Sequence, residues 1–144
     1  MNEIKKKYIK YLGGLKPLEE ILDVNRLSEQ EILDAVVKFY ISSSKQITKE
    51  RTKFYQELLK AEPKSIKIDK ISNRWGSCNT KKEITYNYLI CTLPMEFIDY
   101  IVVHELCHIH HMNHDRSFWR KVGSILPDYK TRMKALEGEI EMDY

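Results

Sequence analysis

The 144 residues of this chain are enough for one compact domain, and 42% hydrophobic with 31% charged residues is ordinary for a globular protein. No apolar run approaches the roughly 18 residues that a membrane-spanning helix needs, and no signal-peptide pattern follows the lysines near the N-terminus. The net charge of +3 is too small to identify a partner, so composition predicts a non-membrane protein and no more.

The three cysteines, Cys78, Cys91 and Cys107, are an odd number and form no C-x-x-C pair. This usage fits a reducing compartment better than a disulfide framework, so we expect a cytoplasmic protein. The first 72 residues carry 15 basic and 11 acidic side chains, against 9 and 10 in the remainder. A mildly basic first half permits contact with nucleic acid or acidic lipid, but a solvated helical surface is the favoured interpretation.

Residues 1–62 are predicted to form a helical scaffold, because nothing in them carries recognisable chemistry. Residues 2–24 place apolar side chains along the chain, but Gly13-Gly14 and Pro17 interrupt the pattern. This stretch therefore predicts a short basic helix, a turn and a second short helical piece.

A longer helix is predicted to begin at Ser28. Glu31 follows three residues later, which is the signature of a capping box, and apolar residues then recur at helical spacing up to Leu59. The three serines at 42–44 are expected to fray or break this helix, with Thr48 as a possible second N-cap.

Two strands are predicted after Pro63, where the helical part ends. Residues 65–71 alternate between apolar and polar side chains, and residues 83–90 are rich in β-branched and aromatic residues. Turn-forming residues at 73–82 separate the two strands. The pattern therefore predicts a small antiparallel sheet.

The next helix is predicted to begin near Pro94 and to be buried, because apolar residues cover most of its circumference. It carries His104, Glu105 and His108, which form the pattern H-E-x-x-H. Histidines at i and i+4 lie on one helix face and can share a zinc ion, while the glutamate acts on a water molecule that the zinc activates. Titratable groups in a buried helix are costly unless they are paired or bind metal, which strengthens the prediction of a site.

The chain after this helix is predicted to hold two further helices. Asn113 is the expected end of the H-E-x-x-H helix, and Asp115 or Ser117 is expected to cap a helix at residues 118–126. We therefore expect one domain, residues 1–144. Its predicted parts are the helical scaffold (1–62), a catalytic core (63–127) and a C-terminal helix (128–144).

Spacing alone leaves the third metal ligand open. His111 shares a helix face with His104 and His108, but three ligands along about 10 Å of one stripe cannot easily reach one ion. His114, one residue beyond Asn113, is better placed to turn back towards the metal. The other candidates are His110, Asp115, Cys78, Glu137 and Glu141, of which the two glutamates are the main rivals.

Several stretches together resemble the YgjP-like family of zinc metallopeptidases over roughly residues 63–127. They are Arg74-Trp75-Gly76-Ser77-Cys78, Ile84-Thr85-Tyr86-Asn87, and residues 98–108 with Asn113-His114 and Phe118-Trp119. The resemblance implies a zincin-like α+β fold, in which the active-site helix lies beside a small sheet. It also implies one zinc ion held by His104, His108 and His114, with Glu105 as catalytic acid and base.

The expected chemistry is zinc-assisted hydrolysis of a peptide bond in a protein or peptide substrate, with Glu105 transferring the proton. The second predicted strand is expected to pair with an extended substrate, which makes Asn87 and Tyr86 candidate substrate contacts. Arg74, in the loop before that strand, is a further candidate, as a group that stabilises the oxyanion. Two other interpretations stay open. A fourth protein ligand such as Cys78 would make this a structural zinc domain, and the basic first half would suit a DNA-associated factor with a vestigial protease site.

Overall fold

The computed structural model describes residues 8–70 and 73–138, which contain four α-helices and two small β-sheets. The strands are β1 (Tyr8–Tyr11), β2 (Gly14–Pro17), β3 (Ser65–Asp69), β4 (Gly76–Cys78) and β5 (Glu83–Asn87). The helices are α1 (Glu29–Leu59), α2 (Met95–Cys107), α3 (Arg116–Ile125) and α4 (Tyr129–Glu137), with 3₁₀ turns at Leu18–Glu20, Val24–Arg26 and Tyr88–Thr92. The predicted α+β class is confirmed. No helix within these ranges is long and apolar enough to cross a membrane.

The first described residues form a β-hairpin, so the prediction of a helix here is wrong for residues 8–17; residues 2–7 lie outside the described residues. Strands β1 and β2 pair antiparallel across Leu12 and Gly13, whose φ angles are 47° and 83°. Positive φ at both central residues is the geometry of a tight hairpin turn. The amides of this turn donate to the carbonyls of Cys91 and Thr92, which anchors the hairpin just before α2.

Helix α1 runs without a break for 31 residues. Its predicted capping box is confirmed, because the Ser28 hydroxyl accepts from the Glu31 amide and the Glu31 carboxylate accepts from the Ser28 amide. The predicted second N-cap at Thr48 is wrong. The Thr48 hydroxyl donates to the carbonyl of Ser44 at 2.7 Å, inside the continuing helix.

The second sheet has three strands in the order β3-β5-β4. Strand β5 pairs parallel with β3 and antiparallel with β4, so the predicted antiparallel pairing of residues 65–71 with 83–90 is wrong. The stretch predicted as a loop, residues 73–82, contains the strand β4. In the sequence β4 lies between β3 and β5, and it runs antiparallel to both. As a result β5 lies in the middle of the sheet and β4 forms an edge.

Helix α2 is the most buried element: every residue from Phe97 to Cys107 is buried. Helices α1, α3 and α4 and the edge strand β4 all contact it. The helix ends at Cys107, so the predicted end at Asn113 is wrong. The amides of residues 108–110 bond carbonyls three residues back, which tightens the chain into 3₁₀ geometry and turns it away from the helix axis.

The two C-terminal helices begin close to the predicted positions. The Asp115 carboxylate accepts a bond from the Phe118 amide at 3.0 Å, so Asp115 is the N-cap of α3. Helix α4 follows at Tyr129 and is described to Glu137, with residues 139–144 outside the described ranges.

A partly buried ion pair joins α1 to α2. Arg51 donates to Asp99 through Nε to Oδ1 at 2.7 Å and through Nη2 to Oδ2 at 2.9 Å. The Tyr55 hydroxyl donates to the same carboxylate at 3.0 Å. Asp99 is only 8% exposed, so its carboxylate depends mainly on these protein groups for hydrogen bonds.

Replacing Asp99 by alanine should lower the free energy of unfolding by about 3 kcal/mol, because it leaves the partly buried Arg51 without its counter-charge. Replacing Glu20 by alanine removes the exposed Lys16–Glu20 pair and should cost at most about 1 kcal/mol. Urea denaturation measures both losses. Equal losses would contradict a structural role for the Arg51–Asp99 pair.

Candidate metal centre

Three histidine side chains converge on one point beside the sheet. His104 lies on α2, His108 caps the end of that helix, and His114 lies in the loop before α3. The Nε2 atom of His108 is 3.2 Å from that of His104 and 3.0 Å from that of His114, and the remaining pair is 3.2 Å apart. This is the one such group of potential metal ligands among the described residues.

The triangle of nitrogens fits a single tetrahedral ion. Zinc binds imidazole nitrogen at roughly 2.0–2.1 Å, so two such ligands in tetrahedral geometry stand about 3.3 Å apart. The observed separations of 3.0–3.2 Å are close to that value. Three imidazoles with a fourth position left open is also a ligand set typical of catalytic zinc.

Hydrogen bonds on the outer ring nitrogens orient two of the three histidines. Nδ1 of His108 lies 3.0 Å from the carbonyl oxygen of His111, which can only accept, so this nitrogen carries the proton. When His108 is neutral, its inner nitrogen, Nε2, is therefore unprotonated, and the lone pair of this nitrogen faces the other two rings. Nδ1 of His104 lies 3.2 Å from the hydroxyl of Tyr100. Sequence reasoning missed Tyr100, although its position four residues before His104 puts it on the same helix face.

Burial keeps two of the rings in the neutral form that a metal requires. His104 is 3% exposed and His108 is 8% exposed. Burial, and after it the neighbouring histidine rings, holds the pKa of His104 well below its usual range. Burial likewise lowers the pKa of His108. Both rings therefore stay neutral, and available to a metal, at pH values where a solvent-exposed histidine is protonated.

Glu105 lies beside the histidines and against the edge strand. It is 2% exposed, yet it forms part of the lining of the cleft described below. A Cβ atom placed on Gly76 would be 3.1 Å from Cγ and 3.2 Å from Oε2 of Glu105, so a side chain there would displace the carboxylate. Sequence analysis placed Gly76 only in a motif of the resemblance, but a glycine within a strand often marks such a close approach.

A cleft of about 470 Å³ opens over this group. It is lined by Asn73, Arg74, Gly76, Ser77, Cys78, His104, Glu105, His108, Met112 and His114. One wall comes from the edge strand β4 and the other from the end of α2 and the loop that follows. The cleft therefore gives a ligand in solution access to the three histidines and to Glu105.

Of the three candidate substrate contacts, only Arg74 lines the cleft. Tyr86 and Asn87 are fully buried. The hydroxyl groups of Tyr86 and Thr52 form a hydrogen bond of 3.1 Å. The side-chain amide nitrogen of Asn87, Nδ2, donates to the backbone carbonyl of Arg74 at 3.1 Å. Burial thus favours a structural role for both. Pairing of a substrate with β5, as expected from the sequence, is wrong because both edges of that strand are already occupied.

The remaining candidate ligands stand outside the cluster. Cys78 lines the cleft, but burial, and after it the Glu105 carboxylate, raises the pKa of its thiol to about 11. Nε2 of His110 lies 3.0 Å from the carbonyl oxygen of Lys60. Glu137 is not part of the cleft lining, and Glu141 lies outside the described residues.

Comparisons with known proteins agree with this picture. A family model described as YgjP-like, metallopeptidase domain, matches residues 7–139. Among solved structures, the crystal structure of the metallopeptidase zymogen of Pyrococcus abyssi abylysin is similar, with a TM-score of 0.62 and 20% sequence identity. That match covers 67% of this chain and 97% of the other, and at this identity it shows a shared fold. No curated protein matches the chain.

The metal-free protein should lose stability as the pH falls below about 6.5, the usual pKa of histidine in an unfolded chain. His104 and His108 have lowered pKa values in the folded state, so the unfolded state binds more protons and gains stability in acid. Urea denaturation in the presence of a chelator, between pH 7.5 and pH 5, measures the effect. A double variant with glutamine at both positions should depend less on pH in this window, and an equal dependence would contradict this account.

Proposed function

The chain belongs to the YgjP-like metallopeptidase family, and on this basis we propose that it is a zinc-dependent peptidase whose zinc ligands are His104, His108 and His114. The observation that carries the proposal is the convergence of the three Nε2 atoms, 3.0–3.2 Å apart, with Glu105 beside them in one cleft. A zinc ion in this position supplies a Lewis acid that lowers the pKa of water and polarises a carbonyl group.

Glu105 is the proposed general base and acid. Its carboxylate accepts a proton from the attacking water and then delivers that proton to the leaving amine of the cleaved peptide bond. Its place next to His104 in the sequence puts it on the neighbouring helix face, about 100° around α2, so it does not compete with the histidines for the metal. The close approach of Gly76, a residue of the cleft wall, restricts the carboxylate from the side of β4.

The proposed substrate is a polypeptide in extended conformation. Strand β4 is an edge of its sheet, and its residues Gly76, Ser77 and Cys78 form one wall of the cleft. An extended peptide that adds to this edge by backbone hydrogen bonds would run past Glu105 and the histidines. Arg74, at the same wall, is proposed as a contact to the substrate.

A catalytic site is favoured over a closed structural zinc site. A structural site surrounds the ion with four protein ligands, whereas the cluster here contains three within the described part of the chain. Cys78, the fourth ligand that a structural site would use, lines the cleft but is not part of the group of converging ligand atoms. An ion held by the three histidines would be accessible from the cleft to water and to a peptide.

Replacing Glu105 by glutamine should leave zinc binding intact and lower peptide hydrolysis by at least about 100-fold, since the amide cannot accept the proton. A quenched-fluorescence peptide library measures hydrolysis, and competition with a chromophoric chelator measures zinc binding. Glu96→Gln makes the same change on an exposed position of α2 and should leave both unchanged. Hydrolysis at the wild-type rate in the Glu105 variant would rule out its role as base.

Replacing His114 by alanine should weaken zinc binding by at least about 100-fold, because two ligands of three remain. His111→Ala is the matched control, since His111 contacts His108 through its backbone carbonyl, which the substitution keeps. Chelator competition on both variants decides the matter. Full zinc retention by the His114 variant would point instead to a carboxylate ligand from the C-terminal residues.

A further inference from the structure

His114 is the proposed ligand with the least support from hydrogen bonds. The outer nitrogens of His104 and His108 contact Tyr100 and the backbone of His111, and both rings are buried. His114 instead is exposed and lies on a loop, and no hydrogen bond joins its outer nitrogen to any other residue in ranges 8–70 and 73–138. Something else must fix the plane of its ring if all three nitrogens are to meet at one point.

Aromatic rings supply that contact. The Trp119 indole stacks on the His114 ring with centroids 5.7 Å apart and planes inclined by 30°. Tyr129 stacks on the Trp119 ring at 5.3 Å and 14°. Phe118 and His114 make an edge-to-face contact at 5.0 Å and 72°. His114 is therefore contacted by two aromatic rings of α3, and Tyr129, at the start of α4, packs behind one of them.

The backbone around this stack is arranged to hold it. Asp115 caps α3, which fixes Phe118 and Trp119 in the first turn of the helix, next to the histidines. Gly123 lies one turn further along α3 from Trp119. A Cβ atom there would be 3.3 Å from Cε1 of Tyr129, tighter than an ordinary contact, so the glycine leaves room for the tyrosine ring beside the indole.

We infer that Trp119, backed by Tyr129, is a positioning residue that sets the ring plane of His114 for metal binding; this inference rests on the proposed function. The indole covers one face of an exposed imidazole, which limits its rotation about the side-chain torsions. Groups that orient metal ligands typically change metal affinity by about 10- to 100-fold when removed. The Trp119 ring is partly buried against the hydrophobic core, and it also contacts the ring of His104 at 5.9 Å.

The test is the zinc affinity of Trp119→Leu, measured by chelator competition at fixed pH. Leucine keeps apolar volume but has no flat ring, so the affinity should fall by about tenfold or more. Trp119→Phe restores a ring and should stay within about threefold of the wild type. Phe54→Ala removes a half-exposed aromatic side chain from α1, which contributes nothing to the cleft, and should leave the affinity unchanged.

A double-mutant cycle separates positioning of His114 from general loosening of the site. When His114 is already alanine, adding Trp119→Leu should lower the zinc affinity no further. A full additional loss in that background would overturn the inference, as would wild-type affinity in Trp119→Leu alone. Should Trp119→Leu not fold, Tyr129→Leu replaces it: an affinity loss that disappears in the His114→Ala background is expected, and an unchanged affinity overturns the inference.

The same titration separates the inference from the proposed function. Wild-type protein that does not bind zinc would overturn the zinc peptidase proposal itself. Wild-type protein that binds zinc, and whose affinity is insensitive to both Trp119→Leu and Tyr129→Leu, would overturn only the positioning role.

Discussion

The molecule depends on the cost of placing titratable groups inside a buried helix. Helix α2 is buried from Phe97 to Cys107, and His104 and Glu105 lie within that stretch. Such groups destabilise a fold unless each one has a partner or a metal. The inner nitrogens of the histidines point at one another, a geometry in which a shared cation stabilises all three. Metal binding would therefore offset the free-energy cost of burying these groups in the helix.

Neighbouring elements restrict how the buried groups can move. Tyr100, one turn before His104, contacts the outer nitrogen of His104. Beyond the end of the helix, the backbone carbonyl of His111 accepts a hydrogen bond from His108. Phe118 lies 4.5 Å from the His108 ring and 5.0 Å from the His104 ring, on the side of α3. Two of the three histidines are thus fixed by a packed helix, and the third lies on a loop. The exposed histidine is the one whose ring stacks on an indole.

Two predictions failed where local pattern and long-range pairing disagree. Over such a short stretch, the apolar residues before Gly13 are compatible with a helix as well as with a strand. Hydrogen bonds from the turn to the carbonyls of Cys91 and Thr92 stabilise the hairpin. The strands at 65–69 and 83–87 have the predicted character, but their direction relative to each other depends on β4. Strand pattern carries no information on the direction of a partner strand. The same error placed the substrate beside β5, which is the central strand.

Local chemistry determined much of this protein from the sequence by itself. The capping box at Ser28, the burial of α2, the cap at Asp115 and the facing positions of His104 and His108 all depend on residues within four of one another. Tertiary structure alone decided what depends on distant segments. It brought His114 to the other two histidines, placed Gly76 against Glu105 and stacked Tyr129 behind Trp119. The physical reason is that helix periodicity and capping act over one turn, whereas these contacts arise only when separate elements pack around one core.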